Sequence, residues 1–259
     1  MICRDIIRLI EEKYPKSYAM NWDNVGLLAG RYEKDVKKIY IAVDATDEVV
    51  DAAISEGADM LITHHPLVFS GLKKITDGDF VGNRLIRLIQ NDISYYAMHT
   101  NYDVLGMAEL SGMKMNLKNA EVLEVTAFEE VPEGIGRVAD LEEAISLKEC
   151  CERVKEIFAL DSVKVFGSLE KAVQRVAISG GSGKSMIGPA LEKKADVLIT
   201  GDIGHHEGID AVAQNLAIID AGHYGIEHIF IEDIKCFLER LLENISVEGA
   251  PVKHPFTVL

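Results

Sequence analysis

Histidine and carboxylate side chains are concentrated in three short stretches of this sequence, and together they form a ligand mix that suits transition metals. The stretches are THHP (63–66), HTNYD (99–103) and AGHYGIE (221–227). In the third, His223 and Glu227 stand four positions apart, so a helix would place both on one face. The candidate metal ligands are therefore His64, His65, Asp103, His223 and Glu227.

Each of these signals also has an ordinary structural explanation when it is taken alone. An adjacent pair of histidines is more often one buried and one exposed side chain. Asp103 is suited to an Asx turn or to the N-cap of a helix. For an isolated pair such as His223 and Glu227, a surface pair is the commoner explanation. The position of the three stretches relative to the predicted strands decides between these explanations.

The sequence contains an internal duplication that predicts where the stretches lie. ADMLITHH (58–65) is similar to ADVLITGDIGHH (195–206), because each is an apolar strand followed by a histidine-bearing turn. The similarity extends to preceding strands and to following strands, at 39–46 with 175–182 and at 95–103 with 216–224. The pattern predicts two similar strand-helix-strand-helix-strand units.

Short apolar runs that alternate with amphipathic helices are typical of an α/β fold with largely parallel sheets. Ligands of such sheets bind at the carboxyl ends of the strands, and the three stretches follow predicted strands. We therefore expect two similar α/β halves packed around a central metal cleft. The predicted division is a first half at 1–125, a connecting segment at 126–172 and a second half at 173–259, in one compact body.

The composition excludes several classes of protein. With 259 residues, of which 48% are hydrophobic and 27% charged, the chain is typical of globular proteins. The formal net charge of −15 repels phosphate backbones, so no nucleic-acid partner is expected. No apolar run reaches the roughly 18 residues of a membrane span, and the four cysteines lack the spacing of a disulfide framework. A cytoplasmic location without membrane contact is expected.

Six motifs in consistent order resemble those of the NIF-three-like family, also called the GTP cyclohydrolase I type 2 family. They are WDNVGL (22–27), THHP (63–66), HTNYD (99–103), SGGSG (179–183), TGDIGHH (200–206) and AGHYGIE (221–227). The resemblance implies a dinuclear metal centre between two similar halves and a ring-shaped homohexamer. The family positions that hold the metals match His64, His65, Asp103, His223 and Glu227.

Imidazole and carboxylate ligands suit two divalent ions of zinc, iron, manganese, nickel or cobalt, and disfavour calcium and iron–sulfur clusters. Paired ions are typical of hydrolases, so we expect a hydrolase that acts on a nucleotide-like small molecule. The resemblance implies GTP cyclohydrolase-type ring opening. His99 and His206 are the candidate catalytic residues, because imidazole transfers protons near neutral pH, although each is equally suited to supporting a ligand.

Two other functions stay open, a metal-dependent phosphoesterase and a metal-binding chaperone or regulatory protein without turnover. GGSGKS (180–185) is similar to the end of a P-loop, but Ile178 stands where its first glycine is required, which favours a tight turn. The cations available for a substrate phosphate are Lys73, Lys74 and Lys184, and residues 67–80 are a candidate lid. Tyr102 stands where an aliphatic residue is expected from the resemblance, and it is predicted to fill space beside the site, with contact to a ligand as the alternative.

Overall fold

The structure is a computed structural model that describes residues 1–128 and 131–259. The described strands are β1 (Gly26–Ala29), β2 (Lys38–Ala42), β3 (Met60–Thr63), β4 (Ser94–Ala97), β5 (Glu121–Phe128), β6 (Pro132–Ser146), β7 (Lys164–Phe166), β8 (Ala172–Ser182), β9 (Val197–Gly201), β10 (Ala217–Asp220) and β11 (Ser246–Gly249). The described α-helices are α1 (Cys3–Lys13), α2 (Asp47–Ser55), α3 (Phe80–Gln90), α4 (Thr100–Tyr102), α5 (Ala108–Lys114), α6 (Leu147–Ile157), α7 (Ile187–Glu192), α8 (His205–Ala213), α9 (His223–Glu227) and α10 (Ile229–Leu241). Short 3₁₀ turns lie at Lys16–Tyr18 and Gly183–Met186, and a π-helical turn lies at Asp103–Met107.

The described residues form two compact units, each assembled from separate stretches of the chain. Unit 1 comprises Met1–Tyr102 and His228–Val252, and unit 2 comprises Asp103–Glu227 and Lys253–Leu259. The chain therefore passes between the units next to Asp103 and next to Glu227, two of the predicted metal ligands. The predicted division into two halves and a connecting segment, packed as one body, stays a prediction.

Unit 1 contains a sheet with the strand order β1-β4-β3-β2-β11 among the described residues. Strands β11, β2, β3 and β4 pair in parallel, and β1 pairs with β4 in the antiparallel direction. Strand β3 is buried along its whole length because it lies inside the sheet, which explains its continuous apolar sequence. The hydrophobic core of unit 1 includes Tyr40, Leu61, Leu88 and Tyr95.

Unit 2 contains a sheet with the strand order β5-β6-β8-β9-β10-β7 among the described residues. Strands β8, β9 and β10 pair in parallel, while β5, β6 and β7 pair with their neighbours in the antiparallel direction. Residues 126–172, expected as a connecting segment, contribute β6, α6 and β7 to this unit. The unit 2 core includes Val138, Leu198, Ala211 and Ile218.

The predicted α/β class with two largely parallel sheets is confirmed. The duplication corresponds to β2-α2-β3-α3-β4 in unit 1 and β8-α7-β9-α8-β10 in unit 2. In both units the second strand of the repeat lies between the other two. Its carboxyl end therefore lies between the carboxyl ends of its two neighbours. Within the described part of the chain, no helix is long and apolar enough to cross a membrane.

Candidate metal centre

The backbone at the end of β3 holds both histidines of THHP in place. His65 donates its backbone N–H to the Val43 carbonyl oxygen at 2.9 Å, beyond the end of β2. Thr63 Oγ1 donates to the His65 carbonyl oxygen at 2.7 Å and lies 2.8 Å from Tyr95 Oη. His64 is buried and His65 half-buried. The turn is thus bonded to the neighbouring strands on both sides of β3, which fixes the direction of the two side chains.

His64, His65 and His99 form a group of three imidazoles in unit 1. Their ring centroids are 4.9 Å apart for His64 and His65, 5.3 Å for His64 and His99, and 5.5 Å for His65 and His99. One ring nitrogen from each lies within 4.8 Å of the others, a spacing that lets all three coordinate one ion. His99, predicted as a catalytic residue, therefore also qualifies as a metal donor.

The Nδ1 atom of each of these imidazoles is bonded to an oxygen atom of unit 1. The acceptors are Met98 O for His64 at 3.0 Å, Asp44 Oδ1 for His65 at 2.8 Å and Asp23 Oδ1 for His99 at 2.9 Å. These acceptors favour the tautomer with the proton on Nδ1, which places the imidazole lone pair on Nε2. This is a common arrangement around metal-binding histidines, in which a second residue orients each ring.

Asp23 is the most strongly held of these acceptors. Its side chain is fully buried, and its Oδ2 accepts hydrogen bonds from the Thr100 backbone N–H at 3.0 Å and from Thr100 Oγ1. Burial, the largest single influence, acts to raise the pKa of Asp23, but the hydrogen bonds from His99 and Thr100 outweigh it and lower that pKa to about 2. Asp23 is therefore ionised at neutral pH and holds the His99 ring through Nδ1.

Tyr102 fills space beside His64, as predicted from the sequence. Its buried ring lies edge-on to Phe230 at 4.9 Å and to Tyr14 at 5.2 Å between centroids, and 5.9 Å from the His64 ring. Its hydroxyl donates to Asp233 Oδ2 at 2.8 Å. The phenol thus fixes one wall beside His64 through aromatic contacts and one hydrogen bond.

His223 and Glu227 lie on one face of α9 in unit 2, as their spacing predicts. His223 Nε2 is 3.1 Å from Glu227 Oε2, and His223 Nδ1 is 2.8 Å from Asp202 Oδ2. Burial, the largest single influence, acts to lower the pKa of His223, but the two carboxylates outweigh it and raise that pKa to about 9. An ion that binds here must displace a proton, which is the usual coupling of metal binding to pH.

The glycines of SGGSG leave room for the Glu227 carboxylate. Gly181 has a φ of +70°, and a Cβ atom at this position would lie 3.1 Å from Glu227 Oε1. Gly183 begins the 3₁₀ turn, where a Cβ atom would lie 2.1 Å from Thr200 Cγ2. The motif is therefore a tight turn shaped by packing, as Ile178 in place of the first P-loop glycine predicts.

Asp103 and His206 occupy different environments within unit 2. Asp103 is the half-buried first residue of the π-helical turn, a type of distortion that is frequent at functional sites. His206 is exposed in the first turn of α8, and its ring lies 5.1 Å from that of His205. Among the described residues, the side chains that could hold a metal ion are His64, His65 and His99 in unit 1 and Asp103, His223 and Glu227 in unit 2. All five predicted ligands belong to that set, and the catalytic role of His206 stays a prediction.

Three carboxylates that orient histidines were not among the residues predicted from the sequence, namely Asp23, Asp44 and Asp202. The Asp23 contact with His99 spans 76 positions of the chain, so local spacing gives no indication of it. Asp23 does stand in WDNVGL, one of the motifs that carry the family resemblance, and an ionisable residue in such a motif is the signal that was available.

The fold and its donors define a class of duplicated α/β proteins with histidine and carboxylate side chains at strand ends. The chain belongs to the family Duf34/NIF3 (NGG1p interacting factor 3), which it matches over residues 1–255. The predicted family membership is thus confirmed.

Individual relatives are similar along nearly their whole length. A Clostridium acetobutylicum protein named GTP cyclohydrolase 1 type 2 homolog is 37% identical over 246 residues, which cover 94% of this chain and 92% of that protein. The crystal structure of a Bacillus cereus protein related to NIF3 has a TM-score of 0.94 at 26% identity and covers 100% of this chain and 99% of its own. Reduced HcgD from Methanocaldococcus jannaschii has a TM-score of 0.83 at 32% identity, with coverage of 96% and 97%.

Proposed function

We propose that this protein is a metal-dependent hydrolase that acts on a nucleotide-like small molecule. The proposed ligands of two divalent ions are His64, His65, Asp103, His223 and Glu227. The observation that carries the proposal is the group of three histidines in unit 1, each with Nδ1 bonded to an oxygen acceptor. That pattern orients Nε2 for coordination and is unnecessary for histidines that only fill a core.

The donors fit the proposed ions in type and in burial. The candidate donors within unit 1 are imidazole nitrogens, and those within unit 2 are Asp103, His223 and a Glu227 side chain that is only 2% exposed. Nitrogen and carboxylate donors together suit zinc, iron, manganese, nickel and cobalt, so the identity of the ions is left to measurement. Two such ions, when bound, would supply Lewis acidity and water of lowered pKa.

The residues around the donors have separate tasks in this proposal. Asp44 and the Met98 carbonyl orient His65 and His64, and Asp23 orients His99. His206, exposed at the start of α8, is the second candidate for proton transfer. These groups would position the substrate and move protons during hydrolysis.

The name shared by several relatives, GTP cyclohydrolase 1 type 2 homolog, favours a purine nucleotide as the substrate. Hydrolysis would then open the imidazole ring of the base and release formate. Lys73 and Lys74 are exposed and available to a phosphate, whereas Lys184 Nζ is 2.8 Å from Glu207 Oε1, which offsets its charge. A phosphoesterase would release orthophosphate instead, so the products separate the two reactions.

The test is turnover by protein reloaded separately with zinc, iron and manganese, with bound metal measured by elemental analysis. We expect two ions per chain and metal-dependent consumption of GTP, with loss of both in Asp103→Asn. Asp161→Asn, at an exposed position of the same unit, is the matched control and should behave as the parent protein. Stoichiometric metal without consumption of GTP or any phosphoester would reject the hydrolase and support a chaperone or regulatory protein.

The homohexamer and the cytoplasmic location remain part of this proposal. Sedimentation of the purified chain measures its oligomeric state, and fractionation of cells measures its location. The net charge of −15 supports the expectation that nucleic acid is not a partner.

A further inference from the structure

Two large aromatic side chains stand exposed beside His99. Trp22 is 65% exposed and Phe69 is 55% exposed, and the ring centroid of each lies 5.9 Å from that of His99. Their planes are inclined to the imidazole by 72° and 87°, so neither ring is stacked face to face on it. Both side chains therefore keep apolar surface in water next to an imidazole that is itself held by Asp23.

The backbone under this aromatic pair is fixed by hydrogen bonds. Asn24 Nδ2 donates to the Val68 carbonyl oxygen at 2.6 Å, which ties the segment after Trp22 to the residue before Phe69. Leu67 donates its backbone N–H to Tyr95 Oη at 2.7 Å. The two aromatic residues are thus attached to anchored segments, which lowers the entropic cost of ligand binding.

The same short motif organises His99 and the aromatic pair. Of three consecutive residues, Trp22 contacts His99 edge-on, Asp23 accepts from His99 Nδ1, and Asn24 holds the segment that bears Phe69. A motif built only for stability would bury its tryptophan, because burying such a ring removes a large apolar area from water. Trp22 is instead 65% exposed and lies beside His99.

We infer that Trp22 and Phe69 form a stacking subsite for a planar aromatic ring, such as a nucleobase, beside His99. The inference rests on the proposed function, since it names the substrate class of the same site. Aromatic side chains stack on the face of any heteroaromatic ring, and this stacking tolerates different bases. His99 would then lie against the edge of the bound ring and Asp23 would hold it there.

Fluorescence can test this directly, because Trp22 is the single tryptophan of the chain. Metal-depleted and zinc-loaded protein are each titrated with guanosine, adenosine, GTP and ribose 5-phosphate, with a free tryptophan derivative to correct for absorption. We expect saturable quenching by the three probes that carry a base and none by ribose 5-phosphate. Absence of saturable quenching by every base in both forms would overturn the inference.

A pair of matched variants tests the second wall. Phe69→Ala should weaken binding of guanosine roughly 5- to 150-fold, the range that removal of one stacking contact produces. Phe80→Ala is the control, since Phe80 is similarly exposed at 62% in the same unit and its ring is covered by the Arg84 guanidinium at 5.0 Å. Equal weakening in both variants, or in neither, contradicts a specific role of Phe69.

Calorimetry extends the test to Trp22 itself. Trp22→Phe should retain guanosine binding and Trp22→Ala should lose it, with both variants equal to the parent in thermal unfolding. If the aromatic pair instead contacts a second copy of the chain, Trp22→Ala will change the sedimentation coefficient and leave guanosine binding unchanged, which rejects the subsite.

The two proposals fail in different ways. Base binding with the expected response to Phe69→Ala, but without hydrolysis of any substrate, would reject the hydrolase and leave the subsite intact. Metal-dependent hydrolysis of phosphoesters that lack a ring, unaffected by Phe69→Ala, would support the hydrolase and reject the subsite.

Discussion

The two repeats of the chain are alike at one edge of their sheets and different at the other. At the amino ends of the parallel strands, Asp59 Oδ2 accepts hydrogen bonds from the backbone N–H groups of residues 37–38, at 2.8 and 3.1 Å. Asp196 Oδ2 accepts in the same way from residues 174–175, at 2.9 and 2.8 Å. An aspartate before the central strand therefore ties it to its neighbour in both units.

A lysine also occupies an equivalent position at this edge of both sheets. Lys34 Nζ donates to the backbone carbonyl of Asp92, just before β4, and Lys171 Nζ donates to that of Asn215, just before β10. Each lysine thus bonds to the chain that enters the third strand of its repeat. This edge carries no predicted ligand, and its contacts are the kind that stabilise a sheet.

At the carboxyl ends the repeats differ. Thr63 is followed by two histidines, whereas Thr200 is followed by Gly201 and Asp202. A Cβ atom on Gly201 would lie 2.4 Å from the His223 backbone nitrogen, so this position has no room for a side chain. The central strand of the first repeat therefore ends in two donors, His64 and His65, and the central strand of the second repeat ends in none of the proposed ligands. Divergence is concentrated where α/β sheets bind ligands.

The largest expected effect concerns a proposed ligand at the edge where the repeats differ. Glu227→Gln removes the charge of a carboxylate that is 2% exposed, so we expect metal affinity to fall by more than about 100-fold, above the range for residues that only support a ligand. Competition with a chelator measures the affinity. Glu156→Gln, exposed on α6 of the same unit, is the control and should leave affinity unchanged. Equal affinity in parent and Glu227→Gln would remove Glu227 from the ligand set.

A smaller effect is expected for two carboxylates that orient histidines, one in each unit. Asp23→Asn and Asp202→Asn should each weaken metal binding by about 10- to 100-fold, because the amide orients the imidazole less strongly and can reverse its tautomer. The same chelator competition applies, with Asp161→Asn as the unaffected comparison. If only one of the two variants binds metal less tightly, the oriented histidines of the two units differ in their contribution to metal binding.

The sequence alone predicts the parts of this molecule that depend on local pattern. The repeated ADMLIT and ADVLIT runs identify β3 and β9, and the strand-end rule then selects all five candidate ligands. The pairing of β5, β6 and β7 with the second sheet was not predicted, because residues 126–172 were interpreted as a connecting segment and short strands lack a distinctive period. The contacts of Asp23 and Trp22 with His99 were not predicted either, since they depend on long-range packing, although both residues stand in the WDNVGL motif.

Substitutions at the amino ends of the parallel strands, where the two repeats are alike, should lower the free energy of unfolding and leave metal affinity unchanged. Asp59→Ala and Asp196→Ala each remove an acceptor of two backbone N–H groups, so we expect the free energy of unfolding to fall by about 1–3 kcal/mol in both. Urea denaturation measures the change, and chelator competition should give the parent value. Loss of metal affinity in either variant would contradict the division between a stabilising edge and a binding edge.

The smallest expected effect on stability concerns Thr63 and Thr200, the threonines at the ends of the repeated runs ADMLIT and ADVLIT. Thr63 Oγ1 bonds to His65 and Tyr95, whereas the buried Thr200 Oγ1 has no hydrogen-bond partner among the described residues. Thr63→Val should therefore lower the free energy of unfolding by about 1–2 kcal/mol. Thr200→Val should change it by between zero and about 1 kcal/mol in the stabilising direction, because a hydroxyl that is buried without a bond costs free energy. Urea denaturation of the two variants side by side tests the difference, and equal destabilisation would show that the hydroxyls have equivalent roles in both repeats.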